Sequence, residues 1–241
     1  QNKPSSIVSE PLRFGVSILL FFLIAFVYNL LRSMKLTLVV SAPDTEGAQM
    51  IPFLKVYVIV PAAIFFTYLY TVFSKYLSRE QIFYVMISIF LSFFFLFMTV
   101  LFPYSEYFEL TATYHFLAEL LPNWLAGLCL VIRHWHYSLF YLFSELWSVV
   151  ILSLLYWGFM NENLQLKEAK KYYGVFTLGA NLAAIAAGYV GRFFSRTQYD
   201  ASLPFGQNSW DQTVTLTLSL VLCLGTFGNT EILRRANTIR T

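Results

Sequence analysis

Four charged side chains lie within or at the ends of long apolar stretches of the sequence. Three are the cations Arg32, Lys35 and Lys55, and the fourth is the carboxylate Glu145. A charge inside a membrane span is costly and persists mainly where it faces a cavity or a partner. Such cations are suited to bind an anionic ligand, and such a carboxylate can pair with a cation or carry a proton.

The two cations near the end of the first apolar stretch are spaced for joint action. Tyr28, Arg32 and Lys35 follow one another at intervals of four and three residues, which places them on one face of a helix. We therefore expect Arg32 and Lys35 to point together at one anionic ligand. The alternative is that both of these cations and Lys55 extend to the lipid headgroups. Positive charge is not expected at the outer ends of spans, which favours a functional role for Lys35 and Lys55.

Glu145 lies in a polar stripe along an otherwise apolar helix. Tyr137, Tyr141 and Ser148 are predicted to share its face. A carboxylate in this setting is expected to face the interior of a helix bundle. Three roles are open to it. It holds two helices together by pairing with a lysine of a neighbouring span, it pairs with a lysine that binds the ligand, or it titrates and carries a proton.

Small residues mark the fifth apolar stretch, among them Ala180, Ala184 and Gly188 at intervals of four. Such a face lets two helix backbones approach closely, and close packing explains it. Asn181 is the exception, because its amide can hydrogen-bond either a ligand or a neighbouring helix. Pro61, in the middle of the second stretch, predicts a kink in that helix.

The sequence shows no signature of a metal site or of an enzyme. Cys129 and Cys223 stand alone without metal-type spacing. His134 and His136 would point to different sides of one helix, and we interpret them as residues of the membrane interface rather than as metal ligands. Glycine-rich phosphate-binding motifs are absent. We therefore expect a protein that is not an enzyme and that needs no metal or cofactor.

The composition identifies the elements that must position these residues. Of 241 residues, 58% are hydrophobic and 12% are charged, whereas a soluble domain has about 25% charged residues. A water-soluble domain of this size cannot bury so much apolar surface, which excludes a soluble enzyme or a nucleic-acid-binding module. A net charge of +3 gives no argument for a nucleic-acid partner. The lipid bilayer is therefore the expected surrounding.

Uncharged runs of about 20 residues, the length that crosses a bilayer as a helix, predict six transmembrane spans. The alternation of apolar and polar residues typical of a barrel strand is absent, so the predicted class is an all-α integral membrane protein. Lysine and arginine in the short loops place both ends of the chain inside. We predict one six-helix domain over residues 1–241, with an outer loop and interfacial helix at 104–134 and spans at about 14–38, 53–73, 81–103, 136–160, 172–194 and 211–231.

Several segments resemble the nucleotide transporters of the ATP/ADP translocase type, which occur in obligate intracellular bacteria, plastids and some intracellular parasites. The shared motifs keep their order and extend from the first predicted span to the fifth. They are LRSMKLTLVV (31–40), IPFLK (51–55), RHWHYSLFYLFSELW (133–147), WGFMNE (157–162) and EAKKYYGVFTLGANLA (168–183).

The resemblance implies a fold in which this chain is the N-terminal half of a transporter built from two six-helix halves of the major facilitator type. A C-terminal six-helix half would then be the partner that transport requires. Nucleotides would be the substrate, and alternating access the mechanism. The expected location is the inner membrane of an intracellular bacterium, or alternatively the inner envelope of a plastid.

The resemblance also assigns roles to residues. It implies that Lys55 of the IPFLK motif and Glu145 of the SELW motif are needed for transport. It points to Lys35 of the first-span motif, and with it Arg32 and Asn181, as contacts to the substrate. With the tyrosine of the polar stripe added, the candidate binding residues are Lys35, Lys55, Glu145, Arg32, Asn181 and Tyr141.

Two positions depart from the pattern of the resembled family. Its members usually carry an acid directly after the first-span lysine and a glutamate three residues before the proline of IPFLK, where this chain has Leu36 and Gln49. With fewer negative charges beside the cations, the empty binding site has a different net charge when the carrier changes conformation. This favours import of several nucleotides, with a proton carried by Glu145, over strict exchange of ATP for ADP. Two alternatives stay open: a carrier of another organic anion, and a membrane assembly protein whose charges only hold helices together.

Overall fold

A computed structural model describes residues 10–42, 47–156, 166–202 and 206–240. Within these ranges the chain forms helices and no strand, which confirms the predicted all-α class. We number the α-helices in chain order. They are α1 (Glu10–Val40), α2 (Met50–Phe53), α3 (Val60–Phe73), α4 (Arg79–Leu96), α5 (Ser105–Phe108), α6 (Thr111–Leu120), α7 (Ala126–Arg133), α8 (Trp135–Leu146), α9 (Leu166–Arg196) and α10 (Ser209–Arg240).

Five helical segments of the described chain are long and apolar enough to cross a membrane, and they coincide with the first five predicted spans. α10 begins two residues before the predicted start of the sixth, at Ser209. Residues 157–160 of the fourth predicted span lie outside the described residues. The five segments are Ile18–Val40, Gly47–Phe73, Gln81–Leu101, Trp135–Tyr156 and Gly174–Arg196.

The second of these segments departs from regular α-helical geometry just before its central proline. Between α2 and α3, residues Leu54–Ile59 form a π-helical turn, and Pro61 lies in the first turn of α3. Proline has no backbone N–H, so the carbonyl four residues earlier loses its usual partner. Wider hydrogen-bonded turns upstream of a proline accommodate that loss, and such π-turns occur often at functional sites. Lys55 lies within this turn.

The bundle packs around α1, which contacts α8, α9 and α10. Val27 and Leu31 of α1 are almost completely buried. The indole Nε1 of Trp147, just past α8, donates a hydrogen bond to the carbonyl oxygen of Ile24 at 3.3 Å. The ring of Phe90 from α4 meets the same indole edge to face, at 5.8 Å between centroids. Aromatic packing of this kind fixes the spacing of α1, α4 and α8.

The predicted outer loop contains two substantial helices instead of one. α6 has no buried residue, and its placement at the membrane interface stays a prediction. α7 packs against the start of the second span at Gly127, where a Cβ atom would lie 2.5 Å from both the Gln49 carbonyl oxygen and the Phe53 ring. Only glycine permits this approach, and it attaches the loop to the segment that carries Lys55.

Candidate binding site

The side chains of Lys35 and Glu145 form an ion pair between α1 and α8. Only 4% of the Lys35 side chain is exposed, compared with 30% for Glu145. Lys35 therefore points into the bundle rather than out to the lipid headgroups. An ion pair in a low-dielectric interior is strong only when both partners are present, since each charge alone is poorly solvated there.

Tyr141 completes this pair from one helical turn before Glu145. The Lys35 ammonium lies over the Tyr141 ring, 4.7 Å from its centroid. Tyr141 is itself buried. The ring face attracts the ammonium electrostatically, in addition to the carboxylate. The polar stripe predicted on this helix thus includes two residues that hold one lysine.

Arg32 and Lys55 lie close enough to Lys35 to repel its ammonium, and both are exposed. Neither has a carboxylate partner within the part of the chain that the structure describes. Three cations from the first two spans therefore gather around one carboxylate. Among the described residues this leaves two positive charges in excess at this place, and such an excess favours binding of a polyanion.

Arg32 and Lys35 have different surroundings, although their spacing predicts one common ligand. Arg32 lines an open cleft of about 240 Å³ between α1 and α9. Lys35 is turned instead toward α8 and Glu145. Residues three apart on a helix differ by about 60° in direction, which is enough to separate a cleft wall from a buried contact.

Asn181 lies outside this group. It is exposed on α9, three residues before Ala184, and is not among the residues that line the cleft. Asn29 and Ser33 of α1 do line the cleft, and the sequence analysis missed them. The signal was present, because an amide one turn before Arg32 in an apolar span is as unusual as the charges themselves.

His134 and His136 are completely buried, so they are not the interface residues that the sequence predicted. That prediction assumed one continuous helix. The structure ends α7 at Arg133 and begins α8 at Trp135, with His134 at φ −101° and ψ 46° between them. This break turns both imidazoles inward, 6.3 Å apart between ring centroids.

Contacts across this break tie the outer loop to the start of α8. The Arg133 guanidinium lies 3.2 Å from Glu109 Oε2, and His134 Nδ1 lies 3.3 Å from Glu109 Oε1. The Trp135 indole N–H donates to the Phe108 carbonyl oxygen at 2.8 Å. The cluster fixes the N-terminal end of α8, the helix that carries Tyr141 and Glu145.

The apolar helices and the charged group inside their bundle define the class of this chain, an all-α multi-span membrane protein. The particular family follows from comparison with known proteins. The profile of the TLC ATP/ADP transporter family matches residues 10–233. The chain belongs to that family.

Named relatives occur in bacteria and in plastids. ADP,ATP carrier protein 1 of Chlamydia muridarum is 39% identical over 205 residues, covering 85% of this chain and 38% of that protein. The plastidic ATP/ADP-transporter of Solanum tuberosum is 40% identical over 203 residues, covering 84% of this chain and 32% of that protein. ADP,ATP carrier protein 1, chloroplastic, of Arabidopsis thaliana is 37% identical over 235 residues, covering 93% of this chain and 37% of that protein.

The chain spans less than half the length of these curated relatives. No solved structure gives a significant match.

Proposed function

We propose that this chain is the N-terminal half of a nucleotide transporter that works by alternating access. The observation that carries the proposal is the pair of unneutralised cations, Arg32 and Lys55, beside the Lys35–Glu145 ion pair. The names of the relatives, all carriers of ADP and ATP, supply the class of anion. Phosphate groups fit such a cluster because lysine and arginine bind them through charge-assisted hydrogen bonds.

Within this proposal, Arg32 and Lys55 make the first contacts to the phosphates, since they are exposed and have no carboxylate partner in the described chain. Lys35 is held by Glu145 until a phosphate approaches it. The phosphate then competes with the Glu145 carboxylate for the ammonium. When phosphate replaces Glu145 as the partner of Lys35, the ion pair between α1 and α8 is lost. Binding of the substrate therefore changes the contact between these two helices, and a rocking motion of the helices would change the same contact.

The domain proposal follows from the same reasoning. Residues 1–241 would form a six-helix half, and a C-terminal half would close the other side of the substrate cavity. The lipid bilayer surrounds both halves. The proposed location is the inner membrane of an intracellular bacterium, with the plastid inner envelope as the alternative suggested by the plastid relatives.

Exchange and import remain two forms of the proposed activity. The relatives' names favour exchange of ADP for ATP. Leu36 and Gln49 favour import, because neither brings a negative charge to the cations. Leu36 lines the cleft beside Arg32, so its side chain leaves the guanidinium uncompensated on that side.

Uptake of labelled ATP by the full-length protein in liposomes tests the proposal, with ATP, ADP, AMP and adenosine as competitors. We expect competition to weaken in that order and to vanish for adenosine, each lost charge costing on the order of 1 kcal/mol, or roughly fivefold, in a partly hydrated cavity. Equal competition by adenosine would contradict a phosphate-binding role for the cations. Uptake of a different organic anion in place of ATP would identify another substrate, and no uptake of any anion would favour the assembly protein.

A further inference from the structure

An open cleft lies between α1 and α9, beside the charged group. Its volume is about 240 Å³, and Asn29, Arg32 and Ser33 of α1 form one wall. The facing wall on α9 consists of Ala184, Ala187 and Gly188. The α1 wall also includes Leu36 but is mostly polar, and the other wall offers only small side chains.

The polar wall indicates that the cleft opens to water rather than to lipid. A guanidinium, an amide and a hydroxyl along one face of a span would be costly against hydrocarbon. The Asn29 side chain already donates one N–H to the Ala25 carbonyl oxygen at 2.8 Å. Its second N–H and its Oδ1 are left for a ligand in the cleft.

The two ends of the cleft differ in charge. Arg32 marks the end nearest to Lys35, where the cations gather. Away from Arg32, the lining carries no charge. An ideal Cβ placed on Gly188 meets no atom within 4 Å, so the glycine leaves usable space rather than a close helix contact. Small-residue packing, which the sequence favoured for α9, does not account for Gly188.

We propose that this cleft holds the nucleoside portion of the transported nucleotide, with Asn29 as a hydrogen-bonding residue and Gly188 as the residue that leaves room for it. The inference rests on the proposed function. The ligand would lie with its phosphates at Arg32, Lys35 and Lys55 and with its base and ribose against Ala184 and Gly188. A flat ring fits against a wall of small side chains, and the Asn29 amide can donate to or accept from its polar edge.

Gly188→Leu in the full-length protein tests the proposal, because a Cβ there meets no atom within 4 Å and the longer side chain would occupy space in the cleft. Gly174→Leu is the matched control. Gly174 is also a glycine of α9 with no atom within 4 Å of an ideal Cβ, but it does not line the cleft. Calorimetric titration of the purified protein with ATP and, separately, with tripolyphosphate measures binding of the whole nucleotide and of a phosphate chain alone.

We expect Gly188→Leu to weaken ATP binding at least about tenfold and to leave tripolyphosphate binding within about twofold of wild type. Asn29→Ala should show the same selective loss, because it removes the amide and adds no bulk. Gly174→Leu should match wild type for both ligands. Equal weakening of both ligands would overturn the inference and place the phosphates in the cleft, and unchanged ATP binding would overturn it as well. A wild-type protein that binds neither ligand would instead overturn the proposed function.

Discussion

Lys35 and Glu145 join α1 to α8 through an ion pair that lies against the ring of Tyr141. The lysine is almost fully buried, whereas the carboxylate keeps partial access to solvent. The pair can therefore serve two purposes. It holds two helices of the bundle together, and it leaves Glu145 accessible to a proton.

Removal of one partner should destabilise the protein more than removal of both. We expect Lys35→Met to lower the free energy of unfolding by about 1–3 kcal/mol, because Glu145 loses its counter-ion in a poorly solvated place. The double variant Lys35→Met with Glu145→Gln should recover most of that loss. Thermal denaturation in detergent measures both effects.

A double variant as unstable as Lys35→Met alone would show that the two side chains do not interact energetically. The same pair of variants separates structure from function. The double variant should fold and yet transport poorly, because the cation proposed to contact phosphate is gone.

Lys55→Ala should reduce nucleotide uptake at least about tenfold, since a hydrogen bond to a charged group contributes about 1.5–3 kcal/mol. Its folding should be unaffected, because the side chain is exposed and has no carboxylate partner in the described chain. Lys55→Arg keeps the charge but alters the geometry, and partial activity there would point to electrostatics. Initial uptake rates at matched protein amounts in liposomes provide the measurement.

Lys75→Ala is the matched control for Lys55→Ala. Lys75 is an exposed lysine just beyond the other end of the same span. A general effect of lost positive charge would appear in both variants. Near-normal uptake by Lys55→Ala would remove Lys55 from the proposed site.

The sequence was sufficient to find the charged residues but not to pair them. Apolar runs interrupted by Lys35 and Glu145 identify both as interior groups, because lipid excludes charge. Helical periodicity places Arg32 and Lys35 on a common face only to within about 60°. The packing of α8 on α1 then turns Lys35 toward Glu145 and leaves Arg32 at the cleft, a distinction that depends on tertiary contacts.

The break at His134 shows the same limit at the N-terminal end of α8. The residue between Arg133 and Trp135 is a histidine, so neither a glycine nor a proline marks the end of a helix there. The turn is accompanied by contacts with residues distant in sequence, among them the Glu109 carboxylate and the Phe108 carbonyl. Local sequence preference contains no information about these partners, which is why the sequence predicts interface residues where the structure has two buried histidines.

Gly127→Ala should destabilise the protein by about 1–3 kcal/mol, the usual cost of inserting an atom into a packed contact. Its Cβ would meet the Gln49 carbonyl oxygen and the Phe53 ring at 2.5 Å. Uptake should fall too, because Phe53 lies two residues before Lys55.

Gly191→Ala is the control, because a Cβ there meets nothing within 4 Å. Replacing a glycine inside a helix by alanine should raise the free energy of unfolding by about 0.5–1 kcal/mol. Equal melting temperatures for the two variants would contradict the close packing of α7 on the second span.

The last prediction concerns Leu36 and Gln49 and decides between exchange and import. Within the described chain Glu145 is the carboxylate paired with this group of cations, and a proton taken up there can offset charge as the nucleotide crosses. Leu36 and Gln49 supply no fixed negative charge to Arg32 and Lys55. We therefore expect the full-length protein to take up nucleotide into liposomes that contain none, with stimulation by an inwardly directed proton gradient.

Glu145→Gln should abolish that stimulation and retain nucleotide binding, because glutamine keeps the shape of the side chain but cannot bind and release a proton. Release of Glu145 from Lys35 when a phosphate arrives would make the carboxylate available for protonation at the step where charge must be balanced. Uptake rates with and without the gradient, for wild type and Glu145→Gln, measure the coupling. Uptake that requires internal ADP and does not respond to the proton gradient would establish exchange. The Lys35–Glu145 ion pair would then serve to prevent the empty carrier from changing conformation.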